Sequence, residues 1–148
     1  MTGRISLRAA TEPDYDFALH LYLDGIRSYA VPLMSWDDQE QAARFARQWH
    51  IEEAEIILHD GRPVGFLMSR VGEAEIALNQ FYVAPDCQRQ GIGSMVLDEL
   101  MRRWRAAGKP VALGVLRTNP ARLLYERFGF RVVEETPLKL LMRRELAG

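Results

Sequence analysis

The chain of 148 residues has one cysteine, Cys87, so no disulfide forms within it and a reducing compartment suits it. Nowhere does it carry about 20 consecutive apolar residues, which excludes a membrane-spanning helix. Its first six residues lack the apolar run of a secretion signal, so a cytoplasmic protein with no membrane partner is expected. An excess of one charge is missing too: 19 basic and 20 acidic groups leave a formal net charge of −1. No bulk field therefore calls for nucleic acid as a partner. Linkers, repeats and low-complexity stretches are absent, and residues 1–148 are expected to form one domain. With 48% hydrophobic residues that domain is large enough to build a core without metal or disulfide staples, and no metal is expected.

What is present is organised around residues 76–108. An apolar run ends in Phe81-Tyr82-Val83. The turn Ala84-Pro85-Asp86-Cys87 follows, and Gln88-Arg89-Gln90-Gly91-Ile92-Gly93-Ser94 then opens an amphipathic helix. Ile92, Val96, Leu97, Leu100, Met101 and Trp104 fall on one stripe of that helix. Gly108 and Pro110 end it, and residues 111–116 read as the next strand. The first turn of a helix leaves backbone N–H groups without partners and gathers partial positive charge, so strand, glycine turn and helix together describe an anion site. Gly91 and Gly93 keep side chains away from those amides.

The rest of the chain completes a mixed pattern. Residues 5–8 form a short strand, and Thr11 with Asp14 gives an approximate capping box before a helix that ends near Tyr29. Val31-Pro32-Leu33-Met34 breaks it. Ser35 or Asp37 caps a second helix carrying Ala42, Phe45, Ala46 and Trp49 at helical spacing. Residues 55–59 and 64–71 are strands joined at Asp60-Gly61, a hairpin signal. In the next strand Ile76 and Leu78 share one parity while Phe81 and Val83 share the other. That phase slip across Asn79-Gln80 predicts a β-bulge, the alternative being an irregular strand buried on both faces. Asn119 caps a further helix with Pro120 in its first turn, and residues 130–134 and 138–143 form a closing antiparallel pair. The fold class is mixed α/β (α+β), with six or seven strands, about four helices and a right-handed strand-helix-strand crossover.

Which anion is meant depends on spacing. A triphosphate-binding loop requires Gly-Lys-Ser or Gly-Lys-Thr, and Gly93 is followed by Ser94-Met95. A dinucleotide fingerprint requires a third small residue near Val96 and an acid after the following strand, where Arg117 stands instead. The segment Gln88-x-x-Gly91-x-Gly93, with Asn119-x-Ala121-x-x-Leu124-Tyr125-Glu126-x-x-Gly129-Phe130 downstream, resembles the Gcn5-related N-acetyltransferase (GNAT) superfamily over the last half of the chain.

That resemblance implies a GNAT-like fold, acetyl-CoA as co-substrate and transfer of its acetyl group to an amine by direct attack in a ternary complex. It places the CoA pyrophosphate at Gln88, Arg89, Gln90, Gly91, Ile92, Gly93 and Ser94. Pantetheine lies along Phe81, Tyr82 and Val83, with the Val83 N–H as donor to the thioester oxygen, and Asn119 contacts CoA. Tyr125 matches the family's tyrosine that protonates the departing thiolate, and Glu75, on the strand feeding the site, is the candidate base. Acceptor recognition falls to the elbow between the first two helices and to the last strands. The elbow offers Tyr29, Val31, Leu33, Met34 and Trp36, and Asn79 joins them from the bulge. Asp37, Asp38, Glu134 and Glu135 are offered to a cationic acceptor. Cys87, beside the glycine turn, reads as a small tolerated residue rather than a nucleophile. A small-molecule amine is the expected acceptor, with a protein N-terminus or lysine as alternative. A non-catalytic acyl-CoA-binding sensor is the alternative of another class, and a homodimer is left open.

Overall fold

The computed structural model describes residues 3–88 and 90–145. Its elements run β1 (Ile5–Ala9), α1 (Asp14–Ala30), α2 (Asp38–Gln48), β2 (Ala54–His59), β3 (Arg62–Val71), β4 (Ile76–Val83), α3 (Ile92–Arg105), β5 (Val111–Leu116), α4 (Ala121–Arg127), β6 (Arg131–Glu135) and β7 (Lys139–Arg144). Seven strands form one sheet in the order β1-β2-β3-β4-β5-β7-β6. Among the described residues only β4 and β5 pair in parallel, and α3 provides their crossover; the other neighbours are antiparallel. The expected mixed fold with a single parallel crossover is what forms, and β7 inserts between β5 and β6.

Strand alternation divides the core in two. Ile57, Leu67 and Ile76 join Val96, Leu97, Leu100 and Trp104 of α3 and Tyr125 of α4 on one face. Ile56, Phe66 and Met68 join Ala18 and Tyr22 of α1 and Phe45 of α2 on the other. All six residues of the α3 stripe are buried. In α2 the buried positions are Phe45 and Gln41, while Ala46, expected on that stripe, is exposed because the helix turns it to solvent. The Asp37 carboxylate accepts the Gln39 N–H at 3.0 Å and caps α2. Asp60 and Gly61, with φ of 52° and 81°, make the two-residue turn between β2 and β3.

The capping box before α1 is half formed. Pro13 takes the cap position, and the Asp14 carboxylate reaches back to accept the Thr11 N–H at 2.7 Å and its hydroxyl at 3.0 Å. It also accepts two bonds from the Arg8 guanidinium, at 2.8 and 3.0 Å. Those Arg8 bonds hold the Asp14 carboxyl well below the usual carboxylate range, against the opposing effect of burial and with help from Thr11. A depressed folded value means that the stabilisation is full above the unfolded value of ~3.9 and is lost as the pH falls through the folded value. Asp14→Asn is therefore expected to lower stability by about 1–3 kcal/mol at pH 7. In urea unfolding the gap from the parent should narrow below about pH 4.

The feature that positions the site is the bulge in β4. Met68 pairs with Gln80 but Ser69 pairs with Leu78, so Asn79 is the extra residue. Before it, Ile76 and Leu78 point to the α3 face; after it, Phe81 and Val83 do. The bulge bends β4 away from β5, and their pairing is confined to Ile76↔Val111 and Ala77↔Ala112. Beyond those pairs the two strands part.

Candidate active site

The parted strands open a cleft of about 800 Å³ on the α1/α2 face of the sheet. Leu78 to Tyr82 form one wall and Ala112 to Leu116 the other, with Tyr22, Met34, Trp36 and Arg44 contributed from the α1 and α2 region. The Ala84 N–H bonds the Val64 carbonyl of β3 at 2.7 Å. Alternation along an extended strand then turns the N–H groups of Phe81 and Val83 the other way, toward the missing neighbour. Two backbone donors thus face space that β5 has vacated. Phe81 borders the cleft, whereas Val83 lies outside its lining.

Past Val83 a single 3-10 turn, Pro85–Cys87, leads to the glycine turn. Gly91 caps α3 with φ of 77°, a left-handed conformation in which other residues are strained. Gly93 serves a different end: a Cβ there would come within 3.1 Å of the Leu124 side chain, so its bareness lets α4 pack on α3. Among the described residues no side chain caps α3, and its first turn holds no acid. Its leading N–H groups are left for an external anion. The side-chain donors expected to help are engaged within the turn. Gln88 Nε2 donates to the Val83 carbonyl at 2.9 Å and Gln90 Nε2 to the Asp86 carbonyl at 3.5 Å. Arg89 lies outside the described residues. Ile92 has its side chain in the core and can offer a ligand only its N–H. Burial, with Asp86 alongside, pushes the Cys87 thiol up, which keeps it protonated and unsuited to nucleophilic attack.

Tyr125 stands on α4 across the gap. Its ring is 7% exposed and meets Phe130 edge-on at 5.8 Å, yet it borders the cleft. Burial pushes its phenol above the ordinary value, so it is an O–H donor at neutral pH. Asn119 borders the same space while its Oδ1 accepts the Ala121 N–H at 2.9 Å, capping α4. Tyr82 turns to the opposite face from Phe81, stacking on Phe66 at 5.6 Å and meeting Tyr22 edge-on at 5.9 Å. Its side chain therefore belongs to the α1/α2 side.

The acceptor candidates divide. Trp36 and Asn79 border the cleft, and so does Met34. Tyr29 and Leu33 do not; the Tyr29 carbonyl instead accepts the Thr118 hydroxyl at 2.5 Å, fastening the elbow to the β5–α4 connection. None of the four acids offered to a cation borders the cleft. Asp38 is held by Arg27 at 2.5 Å and by the Trp36 ring N–H, and Glu135 by Arg117 at 3.0 Å. Glu75 borders the cleft but accepts from Arg143 at 2.8 Å. Six residues of strand, about 20 Å, separate it from Phe81, so it cannot touch an amine held at that amide.

Sequence reasoning overlooked the cleft's own charges. Arg44, Arg47 and Lys139 line it, as do Gln41, Gln48 and His50. A signal existed on α2: Gln41, Arg44 and Gln48 recur at helical spacing beside Phe45, marking a polar flank next to the buried stripe.

Comparison with known proteins follows this division. The acetyltransferase (GNAT) domain family matches residues 47–132, which include β4, the glycine turn and Tyr125 but leave out α1 and Lys139. The human cysteine-rich protein 2-binding protein is 36% identical over 70 residues, a stretch covering 47% of this chain and 9% of that protein. The paia N-acetyltransferase of Thermoplasma acidophilum, solved in complex with coenzyme A, is 17% identical. It superposes with a TM-score of 0.75 over 96% of this chain and 99% of its own. An acetyltransferase from Thermus thermophilus is 21% identical, with a TM-score of 0.72 over 99% of this chain and all (100%) of its own. No described helix is long and apolar enough to cross a membrane. With more than half of its residues matched by the family and a bulged β4 leading into an uncapped glycine turn, the chain belongs to the GNAT acetyltransferase family.

Proposed function

We propose that this protein transfers the acetyl group of acetyl-CoA to a primary amine of a small molecule, by direct attack in a ternary complex. The observation that carries the reading is the parting of β4 from β5, which leaves the Phe81 and Val83 amides facing open space with Tyr125 across it. The pyrophosphate docks on the leading amides of α3, and the Thermoplasma acidophilum neighbour solved with coenzyme A makes that co-substrate the natural candidate. Pantetheine takes the place of the absent strand along β4, as an added strand does at a sheet edge. The Val83 N–H, beside a carbonyl fixed by Gln88, suits the arm near the glycine turn. The Phe81 N–H lies two residues, about 7 Å, deeper and suits the thioester oxygen.

The amine enters from the α1/α2 face. Its nitrogen forms the new C–N bond, and the oxygen takes up negative charge against the Phe81 N–H. The C–S bond then breaks, with the electron pair leaving on sulfur and Tyr125 donating a hydrogen bond to it. The proton lost by the amine leaves through water in the cleft, and Glu75 can receive it only by that route. The thiolate takes a proton back from the same water and ends as the free thiol of CoA, balancing the proton lost by the amine. A volume of about 800 Å³ fits a small-molecule acceptor; an extended peptide would need a groove open at both ends. Thiol release from acetyl-CoA across a panel of amines and peptides tests the proposal. Turnover confined to small amines is expected. Turnover of peptides alone would transfer the reading to protein acetylation, and tight CoA binding without any turnover would make the protein a sensor.

A further inference from the structure

We infer that the acceptor carries a carboxylate as well as its amine, and that Lys139 with Arg44 and Arg47 holds that carboxylate at the α2–β7 end of the cleft, a deepening that rests on the acyl-transfer reading above. Five cations and two carboxylates line the cleft, although the whole chain has a net charge of −1. Both carboxylates are neutralised locally, Glu53 by Arg70 at 2.6 Å and Glu75 by Arg143 at 2.8 Å. Arg44, Arg47 and Lys139 form no ion pair among the described residues.

Their placement is specific. Lys139 is one of the chain's two lysines. In β7, Leu140 and Met142 point into the α3 face, so Lys139 points to the α1/α2 face. Its stem lies 3.8 Å from the position a Cβ would take on Gly114, over the floor of β5. Lys139 is half-buried and lines the same cleft as Arg44 and Arg47; burial, with a smaller contribution from Arg44, holds its ammonium below the ordinary lysine value. Arg44 and Arg47 are exposed and stay hydrated until a ligand arrives, whereas Lys139 has lost part of its hydration, which a bound anion would offset. An arginine fork and an ammonium are the donors a carboxylate takes best. The CoA phosphates do not serve: Gly91 and Gly93 lie outside this cleft's lining. The same geometry argues against polyamine acceptors, which would meet cations with no available acid.

The test is a calorimetric titration of the CoA-loaded protein with N-acetyl amino acids, the product type, and with their matching N-acetyl amides. The acids should bind about tenfold tighter or more, and Lys139→Ala should abolish the difference while CoA affinity holds. Lys139→Arg should retain most of it, which a merely structural role would not require. Equal binding of acid and amide, or no binding of either, overturns the carboxylate site. Thiol release measured in parallel with free amino acids, amino-acid amides, polyamines and peptides separates the two readings. Preference for amides or polyamines would overturn the carboxylate and leave acyl transfer standing. Acid-selective binding without thiol release from any amine would leave the carboxylate site and remove the transfer. Selective turnover of peptides with acidic N-terminal residues would assign the anion to a protein acceptor and overturn the small-molecule form of the inference.

Discussion

Tyr125→Phe is expected to lower kcat by about 10²–10³-fold, the range for loss of one hydrogen-bond donor aimed at developing charge, with little change in the dissociation constant for CoA. The argument begins with burial. At 7% exposed, the ring is fixed between α4 and Phe130, and phenylalanine refills that volume, so the fold should survive with its Tm within a few degrees. The hydroxyl contributes only where charge develops on sulfur, and an interaction confined to the transition state appears in kcat rather than in ground-state binding. Because burial raises the phenol's pKa, complete transfer of its proton to a thiolate would be uphill. It acts by donating a hydrogen bond as the C–S bond breaks, and no limb of the pH profile should belong to it between about pH 6 and 9. Stopped-flow measurement of a single turnover separates this chemistry from product release. An unchanged single-turnover rate in Tyr125→Phe would remove the residue from the mechanism.

The parts of the site that were legible in the sequence are those encoded by backbone geometry. The phase slip at Asn79-Gln80 marked the bulge because side-chain parity in a strand has period two, and one extra residue must invert it. Gly91 and the stripe from Ile92 to Trp104 marked the start and inner face of α3 because helix periodicity and an uncapped N-terminus are local. The side chains of the acceptor side were less legible, because their roles are settled by tertiary partners. Asp38 read as available to a cation, yet Arg27 and Trp36, from segments on either side of the elbow, claim it. Tyr29 read as a pocket residue, but a hydroxyl from Thr118, 89 positions away, takes its carbonyl. Lys139 carries no local signal of a site. Only the insertion of β7 between β5 and β6 brings it into the cleft that Arg44 also lines, and strand order is not written in local pattern.

Gly91→Glu is expected to weaken CoA binding by about 100-fold or more, by two separable effects. A non-glycine residue at φ of 77° carries about 1–2 kcal/mol of backbone strain, which by itself corresponds to roughly tenfold if the turn relaxes and its amides lose their aim. Among the described residues, apart from its chain neighbours, no atom lies within 4 Å of the added Cβ, so the Cβ itself meets no clash there. The carboxylate adds the larger part: placed at the helix N-terminus it takes the amides for itself and repels the pyrophosphate. An acid there also favours the helix, so the strain should be partly offset and the protein should remain folded. Gly91→Ala carries the strain without the charge and separates the two contributions. It should weaken CoA by about tenfold, and that loss should be insensitive to salt, whereas the further loss in Gly91→Glu should shrink as ionic strength rises. Equal affinities in the parent and Gly91→Glu would place the pyrophosphate somewhere other than the start of α3, and the cleft between β4 and β5 would then need a different occupant.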